Sequence, residues 1–444
     1  MKKLLSLVLC IVLVSAMFAG CAKKDEATGD ATKTDTTEEN ATTEENATTD
    51  TKANDEPVEL NMFISMPEYA DAITTLIEKY KEVKPNVTIN YETTQNDYPT
   101  LLKAKLNSGD IPDLFSSTSG KEIGVYLDYS QNLADRPLAS AMSDSVKVVM
   151  MSGDELHGIS VKDNLFGIVY NKAIFDEVDI KEFPQKFSEL EQVCEKLQAA
   201  GYQPFTSGFA EWWVYKHVFQ HFMYSAQPDD VEGLVKSFVN GEAHFSDYPE
   251  LYNDFFNFID LVIKYGDQKP LESDLSTEIA SFGSGEAAMV IGQGPWVEAD
   301  ILKINPEIQI GFDGYPTNED ASLTKVIAGS DQAIRINKDS ENLNEVLDFV
   351  DWWYTSDYGK SWFSDVAGVI PPIKDVAIPD YEIVKQGTAL VASEGAGTLG
   401  VVYSTDSFHQ AFGEVMQAYI GGVLTKDEAC AQIETKWVEL EGNQ

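Results

Sequence analysis

Residues 58–116 read VELNMFISMPEYADAITTLIEKYKEVKPNVTINYETTQNDYPTLLKAKLNSGDIPDLFS, and this stretch decides the fold. Short apolar runs typical of strands alternate with segments whose apolar residues recur at helical spacing. The pattern predicts strands at 58–64, 87–93 and 112–116, and helices at 69–82 and 97–107. Because strands and helices alternate, we expect a parallel sheet covered by helices, that is, an α/β fold.

The rest of the chain continues this pattern with more helix. The sequence predicts an aromatic helix at 251–265, strands at 287–291, 309–314 and 325–337, and helices at 341–355, 357–366, 407–420 and from Thr425 to about 440. A chain of 444 residues exceeds what one core usually supports, and no second long linker interrupts it. We therefore expect two lobes that share several chain crossings.

The charge balance excludes whole classes of partner. The chain has 73 acidic against 32 basic residues and a formal net charge of −41. Residues 1–21 carry +2 and residues 22–57 carry −7, which leaves −36 on residues 58–444. A surface this acidic disfavours nucleic acid and anionic membranes as partners. With 43% hydrophobic residues, the bulk of the chain is still rich enough in apolar area to form a core.

The first residues have the features of a targeting signal. Lys2 and Lys3 precede an apolar stretch at 4–19, and Phe-Ala-Gly-Cys at 18–21 resembles the bacterial lipobox. The pattern predicts a signal peptide at 1–20 and lipidation of Cys21; the alternative is an ordinary signal peptide cut at another small residue.

Residues 21–57 predict a disordered acidic tether behind the lipidated cysteine. The stretch is almost free of large apolar residues and contains the hexapeptide TTEENA twice, at 36–41 and 42–47. Such a composition cannot bury a core, so we expect a flexible connection between membrane and folded protein.

Several motifs that resemble functional sites are interpreted as structural. His217 and His221 are spaced like two zinc ligands but lack the intervening glutamate of a metalloprotease, so we interpret them as packing residues. The glycines at 283–285 lie between a helix and a strand, the reverse of a dinucleotide loop, and predict a helix-ending turn. Cys194 and Cys430 are interpreted as unpaired structural thiols. No metal site and no cofactor is predicted.

Tryptophans and strand ends provide the candidates for a binding site. Trp352, Trp353 and Trp362 lie inside amphipathic helices and are assigned to packing. Trp296 follows a predicted buried strand in Gly-Gln-Gly-Pro-Trp at 292–296. In open α/β folds ligands collect at the carboxyl ends of strands, which also marks 65–69, 117–119 and Asp331.

Short motifs in a fixed order give the chain a resemblance to a known family. They are GDIPDLF at 109–115, LHGIS at 156–160, FGIVYNKAIF at 166–175, residues 184–190, LQAAGYQPF at 197–205, residues 282–296, AGSDQAI at 328–334 and GVIP at 368–371. In this order they resemble carbohydrate-binding lipoproteins that feed ABC importers, relatives of maltose-binding protein. At 185–187 the chain has Gln-Lys-Phe where the family often has Thr-Trp.

The resemblance implies a two-lobed periplasmic-binding-protein-like fold with the ligand in the cleft between lobes. The first lobe would comprise 58–168 plus about 330–375, and the second 169–329 plus about 376–444, with crossings near 169–171 and 327–329. The function implied is capture of a sugar or oligosaccharide and its delivery to the transmembrane permease, with no catalysis. We expect a monomer, lipid-anchored at the outer face of the cytoplasmic membrane.

Eight residues are predicted to contact the ligand. Aromatic rings stack on the C–H face of sugars, while carboxylates, amides and hydroxyls bind the sugar hydroxyls. Trp213 and Trp296 are the predicted stacking platforms; Glu68, Asp163 and Asp331 the predicted hydroxyl acceptors; and Ser117, Asn164 and Trp212 further candidates.

The sequence is also compatible with other functions. The same fold could bind a peptide, a polyamine or a metal ion, and the abundant carboxylates would also suit a secreted glycosidase. A surface adhesin or sensor partner would instead need a broad exposed apolar patch.

Overall fold

A computed structural model of the protein describes residues 56–442. The predicted signal peptide, Cys21 and the tether up to residue 55 lie outside the described residues. Within 56–442 no helix combines the length and the apolar character needed to cross a membrane.

The strands fall into two larger sheets and one small hairpin. They are β1 (Val58–Ile64), β2 (Val87–Thr93), β3 (Leu114–Thr118), β4 (Met151–Ser152), β5 (Glu155–Leu156), β6 (Leu165–Asn171), β7 (Gln203–Thr206), β8 (Ala287–Gln293), β9 (Ile310–Asp313), β10 (Ile327–Ala328) and β11 (Gln332–Ile336). The first sheet has the order β11-β3-β1-β2, and the second the order β10-β6-β8-β7 with β9 also paired to β6.

Helices surround both sheets. They are α1 (Ala70–Val83), α2 (Tyr98–Ser108), α3 (Lys121–Val125), α4 (Pro137–Ala141), α5 (Asp144–Val148), α6 (Lys172–Glu177), α7 (Phe187–Ala200), α8 (Trp212–Ala226), α9 (Val231–Val239), α10 (Phe255–Tyr265), α11 (Leu275–Gly283), α12 (Glu298–Ile304), α13 (Leu343–Thr355), α14 (Asp357–Asp365), α15 (Glu382–Glu394), α16 (Asp406–Ile420) and α17 (Lys426–Glu441). The predicted turn at 283–285 is confirmed, since α11 ends there and β8 follows.

The first sheet confirms the prediction from residues 58–116. β1 pairs in parallel with β2 and β3, while β11 adds an antiparallel edge. The third strand begins two residues later than predicted, at Leu114 instead of position 112. Pro112 has no N–H for the ladder, and the Asp113 carboxylate instead accepts the Asn61 N–H at 2.7 Å.

Each sheet has its own hydrophobic core. Trp353 and Trp362 are fully buried beside the first sheet with ring centroids 5.2 Å apart, so their assignment to packing is confirmed. Truncating either ring to alanine would cost about 3–5 kcal/mol. α8 lies in the middle of the second core, and nearly all of its residues are buried, including the polar Lys216, His217, Gln220 and His221.

The buried cysteines are unpaired, as predicted. Cys194 lies on α7 and Cys430 on α17, and both are free thiols in the second core. Burial raises the pKa of the Cys430 thiol to about 12, so it stays protonated and unreactive at neutral pH.

Two predictions about the connections between the sheets are wrong. The single strand at 325–337 is divided at Gly329, whose φ of +144° turns the chain, so β10 joins the second sheet and β11 the first. The crossing near 169–171 lies earlier, because those residues are inside β6. After Ile159 bridges Ile334 of the first sheet, residues 160–164 lead into the second. Residues 165–168, placed in the first lobe from the sequence, therefore belong to the second sheet.

Candidate functional site

A cleft of about 300 Å³ lies at the carboxyl ends of β1, β2 and β8, facing the first turns of α8, α11 and α16. This is the end of an α/β sheet at which ligands bind. The cleft is lined by five of the eight residues predicted to contact a ligand, namely Glu68, Trp212, Trp213, Trp296 and Asp331.

Trp296 is positioned by the turn that follows β8. Gly292 has a φ of +72°, and a Cβ at Gly294 would lie 2.4 Å from the Trp296 ring, so neither position accepts a larger residue without rearrangement. The indole N–H donates to Gln293 Oε1 at 2.8 Å, and the ring meets Phe166 edge-on at 5.7 Å between centroids. These contacts hold the ring in one orientation at the cleft wall.

Trp212 and Trp213 form the first turn of α8 and are both at least nine-tenths buried. Neither indole N–H has a hydrogen-bond partner among residues 56–442. A buried donor without a partner costs about 1–3 kcal/mol. A ligand that accepted these two hydrogen bonds would recover that free energy.

The Lys162 corner, which comprises Lys162, Glu68, Tyr69 and Trp296, was only partly predicted. The Lys162 ammonium lies 3.6 Å from Glu68 Oε1, 4.9 Å from the centroid of the Trp296 ring and 5.2 Å from that of Tyr69. Burial raises the pKa of Glu68 even though Lys162 opposes the shift. The ion pair is loose, because 3.6 Å between nitrogen and oxygen is longer than an ordinary hydrogen bond.

The Lys216 corner comprises Lys216, Asp406, Trp212 and Glu122, and its ion pair differs from that of the Lys162 corner. Lys216 Nζ lies 3.2 Å from Asp406 Oδ1 and 5.4 Å from the centroid of Trp212. The Asp406 N–H donates to Glu122 Oε1 at 2.9 Å, which ties α16 to α3 beside the first sheet. Burial acts to raise the pKa of Asp406, but Lys216 and His409 outweigh it and hold the pKa below its usual range.

Asp331 and His217 lie side by side in the cleft. His217 Nε2 is 4.0 Å from Asp331 Oδ2, and Asn164 Nδ2 donates to Asp331 Oδ1 at 3.3 Å. Burial lowers the pKa of His217 to about 3, so the ring is neutral at pH 7. His217 Nδ1 lies 3.0 Å from the Gly292 carbonyl, which can only accept, so Nδ1 carries the hydrogen and Nε2 is a free acceptor.

The prediction that both histidines are packing residues is right only for His221. His221 packs against the Tyr315 ring, with 4.1 Å between centroids, whereas His217 lines the cleft. Within residues 56–442, no group of three or more His, Cys, Asp or Glu side chains could hold a metal ion.

Three predicted ligand contacts lie outside the cleft lining. Asn164 supports Asp331 from behind, as described above. Asp163 accepts hydrogen bonds from the Asn164 N–H at 3.0 Å and from Ser145 Oγ at 3.3 Å, and burial raises its pKa. Ser117 donates to the Thr118 carbonyl at 2.9 Å within β3. Their side chains are committed to the protein's own structure because each lies just behind the strand ends that face the cleft.

Sequence reasoning missed the two lysines and Asp406. Lys216 is the one lysine or arginine in the largely aromatic helix α8, and a lone lysine in such a buried helix signals a carboxylate partner. That partner, Asp406, is 190 positions away, so no local pattern identifies it. Lys162 precedes the predicted Asp163 by one position and could have been included with it.

Residues 65–360 match the profile of the family described as bacterial extracellular solute-binding protein. The multiple sugar-binding protein of Streptococcus mutans serotype c is 21% identical over 336 residues, which cover 73% of this chain and 78% of that protein.

Solved structures share the fold. A sugar transporter of Bacillus licheniformis in complex with stachyose has a TM-score of 0.73 at 18% identity, covering 86% of this chain and 100% of that one. A chitin oligosaccharide binding protein has a TM-score of 0.76 at 18% identity, covering 86% and 98%. At these identities the likeness concerns the fold, and it confirms the predicted two-lobed α/β architecture.

Proposed function

The chain belongs to the family of bacterial extracellular solute-binding proteins, and from this premise we propose that it captures a sugar or oligosaccharide in the cleft and delivers it to an ABC permease. One observation carries the choice of ligand: aromatic rings and buried polar atoms without protein partners line the same cavity. The atoms without a hydrogen-bond partner among residues 56–442 are Trp212 Nε1, Trp213 Nε1, His217 Nε2, Glu211 Oε2 and Gln332 Oε1.

This mixture suits a sugar better than an apolar solute. A sugar presents a C–H face to an aromatic ring and hydroxyls that both donate and accept hydrogen bonds. The indole N–H groups would donate to it, while His217, Glu211 and Gln332 would accept from it. Asp331 and Glu68 have the remaining carboxylate oxygens for further hydroxyls.

Delivery would depend on a change of shape. In our proposal, residues 58–164 with about 330–375 form one lobe, and residues 165–329 with about 376–444 form the other, because β6 of the second sheet begins at Leu165. A ligand that contacts both lobes favours the closed form, and the permease would recognise that form.

A calorimetric panel tests the ligand class. Raffinose, stachyose, melibiose and chitobiose are titrated beside spermidine and a neutral tripeptide, and we expect saturable one-to-one binding of a saccharide only. The excess of carboxylates in the cleft makes a polyamine the second candidate, and saturable binding of spermidine without any saccharide would replace the proposal by it.

The panel also separates binding from catalysis. We propose that the protein has no glycosidase activity of its own. Incubation with nitrophenyl glycosides should release no nitrophenol above a buffer control, whereas steady release that scales with protein concentration would favour the enzyme.

We further propose that the protein acts as a monomer outside the cytoplasm, held at the membrane through lipidated Cys21. Replacing Cys21 with serine should move the protein from the membrane fraction to the medium. Retention of the Cys21→Ser protein in the membrane fraction would contradict a lipid anchor.

A further inference from the structure

Both cations of the cleft are already neutralised by the protein. Among the described residues that line the cavity, the basic side chains are Lys162 and Lys216, and both are buried. Lys162 lies beside Glu68 and Lys216 beside Asp406, at 3.6 and 3.2 Å. The lining therefore has no spare cation that could pair with an acidic group on a ligand.

Besides the exposed Asp274, two carboxylates of the same lining, Asp331 and Glu211, have no lysine or arginine partner among residues 56–442. Asp331 is buried, and among residues 56–442 no lysine or arginine approaches it within ion-pair distance; its neighbour at 4.0 Å is the neutral His217. Glu211 has an Oε2 atom with no hydrogen-bond partner among those residues. This side of the cleft consequently offers acceptors and negative charge to a ligand.

Neighbouring groups hold two hydrogen-bond acceptors of the cleft, His217 Nε2 and Asp331 Oδ2, in place. His217 is more than nine-tenths buried, and its Nε2 is kept as an acceptor because Nδ1 donates to Gly292. Asp331 is kept in place by Asn164, which leaves Oδ2 toward the neighbouring His217. Two acceptors 4.0 Å apart suit the donor hydrogens of ligand hydroxyls and have nothing to donate to a ligand carboxylate.

We propose that the cleft selects sugars by charge: it accepts neutral saccharides, excludes saccharides that carry a carboxylate, and Asp331 is the residue that sets this exclusion. The proposal rests on the proposed function and names the class of saccharide that the site takes. Its physical basis is that like charges brought together in a desolvated site cost several kcal/mol, while hydroxyls donate to the same acceptors favourably.

The test compares ligands that differ only in charge. Galactose, melibiose and raffinose are each paired with the derivative whose galactose C6 is a carboxylic acid and with the corresponding C6 primary amide, which has nearly the same shape. Titrations in 0.15 M NaCl screen the general negative charge of the protein surface. We expect the amide to bind at least about tenfold more tightly than the acid.

Two substitutions assign the effect to a residue. Asp331→Asn should reduce the ratio of amide affinity to acid affinity by at least about threefold, because it removes the nearby charge and keeps the side-chain shape. Asp230→Asn is the matched control, because Asp230 is exposed, is not part of the cleft lining and caps α9 by accepting the Gly233 N–H at 2.9 Å. This variant removes the same charge away from the cleft and preserves the helix cap, since asparagine caps as well as aspartate. That control should leave the ratio within about twofold.

The outcomes are distinct. Equal affinity for acid and amide would overturn the charge selection and leave the sugar-binding proposal standing. A ratio that Asp331→Asn does not change, or that Asp230→Asn changes equally, would overturn the role of Asp331. Binding of no saccharide in any form would overturn the proposed function and, with it, this inference. Circular dichroism and the melting temperature of each variant establish that it is folded.

Discussion

The Lys162 and Lys216 corners contain the same kinds of side chain but differ in the pKa of the carboxyl group. Each has a buried lysine beside a carboxylate and over a tryptophan ring. In the Lys162 corner burial raises the pKa of the carboxyl partner, Glu68. In the Lys216 corner the pKa of the partner, Asp406, is held below its usual range despite burial.

The difference lies in what else each carboxylate contacts. The Asp406 backbone N–H donates to Glu122 on α3, and His409 Nδ1 lies 3.7 Å from its side chain, so the Lys216 corner connects elements of both halves. Glu68 lies 3.6 Å from Lys162, accepts a hydrogen bond from its own backbone N–H and lies near Asp331, whose charge adds to the rise of its pKa caused mainly by burial. The comparison indicates that the Lys216 corner maintains the structure and the Lys162 corner is available to a ligand.

Removal of each lysine tests that division and should give the largest effect. Lys216→Met removes the lysine that pairs with Asp406 beside Glu122, and we expect a loss of about 3–5 kcal/mol in the free energy of unfolding. Lys162→Met should cost less than half as much, because Glu68 can take up a proton. Urea unfolding without ligand measures both. Equal losses of unfolding free energy in the two variants would contradict the difference between the two corners.

Removal of each tryptophan tests the ligand side. Trp296→Ala should weaken binding of the best saccharide by about 2 kcal/mol, roughly thirtyfold, through loss of the stacking surface. Trp212→Ala should weaken it less, since its ring already lies beneath Lys216 in the structural corner. Calorimetry on variants with native-like circular dichroism gives both affinities. An unchanged affinity in Trp296→Ala would remove that residue from the site.

A smaller effect of pH is expected at the Lys216 corner. Burial, and then the nearby Asp406, raise the pKa of Glu122 above its unfolded value. The folded state therefore holds the proton more tightly, and stability declines as the pH rises above about 4.3. We expect Glu122→Gln to reduce the decline between pH 5 and 8 by about 1–2 kcal/mol. An identical pH slope in the variant, followed by urea unfolding at each pH, would contradict this assignment.

The sequence predicted the elements better than the contacts. Strands such as β1 and β2 were predicted at their observed bounds because periodicity is local. Glu68, Trp296 and Asp331 line the cleft, as expected for residues at strand ends, and their contact with a ligand stays a prediction. The division of β10 from β11 was missed because it depends on one backbone angle at Gly329.

The site was only partly predictable for a physical reason. Lys216 with Asp406 joins positions 190 residues apart, and Lys162 with Glu68 joins two separate loops. Tertiary pairing of this kind leaves no periodic trace in the sequence. Asp163 and Ser117 were placed within a residue or two of the cleft, but side-chain direction at a strand end decides which residue faces the ligand.

Competition for the cleft tests the central claim most directly. The protein is incubated with an equimolar mixture of neutral oligosaccharides, polyamines and short peptides, and native mass spectrometry identifies what it retains. The account predicts one retained neutral saccharide per chain, and loss of that saccharide in Trp296→Ala. A retained polyamine or peptide, or no retained molecule at all, would contradict it.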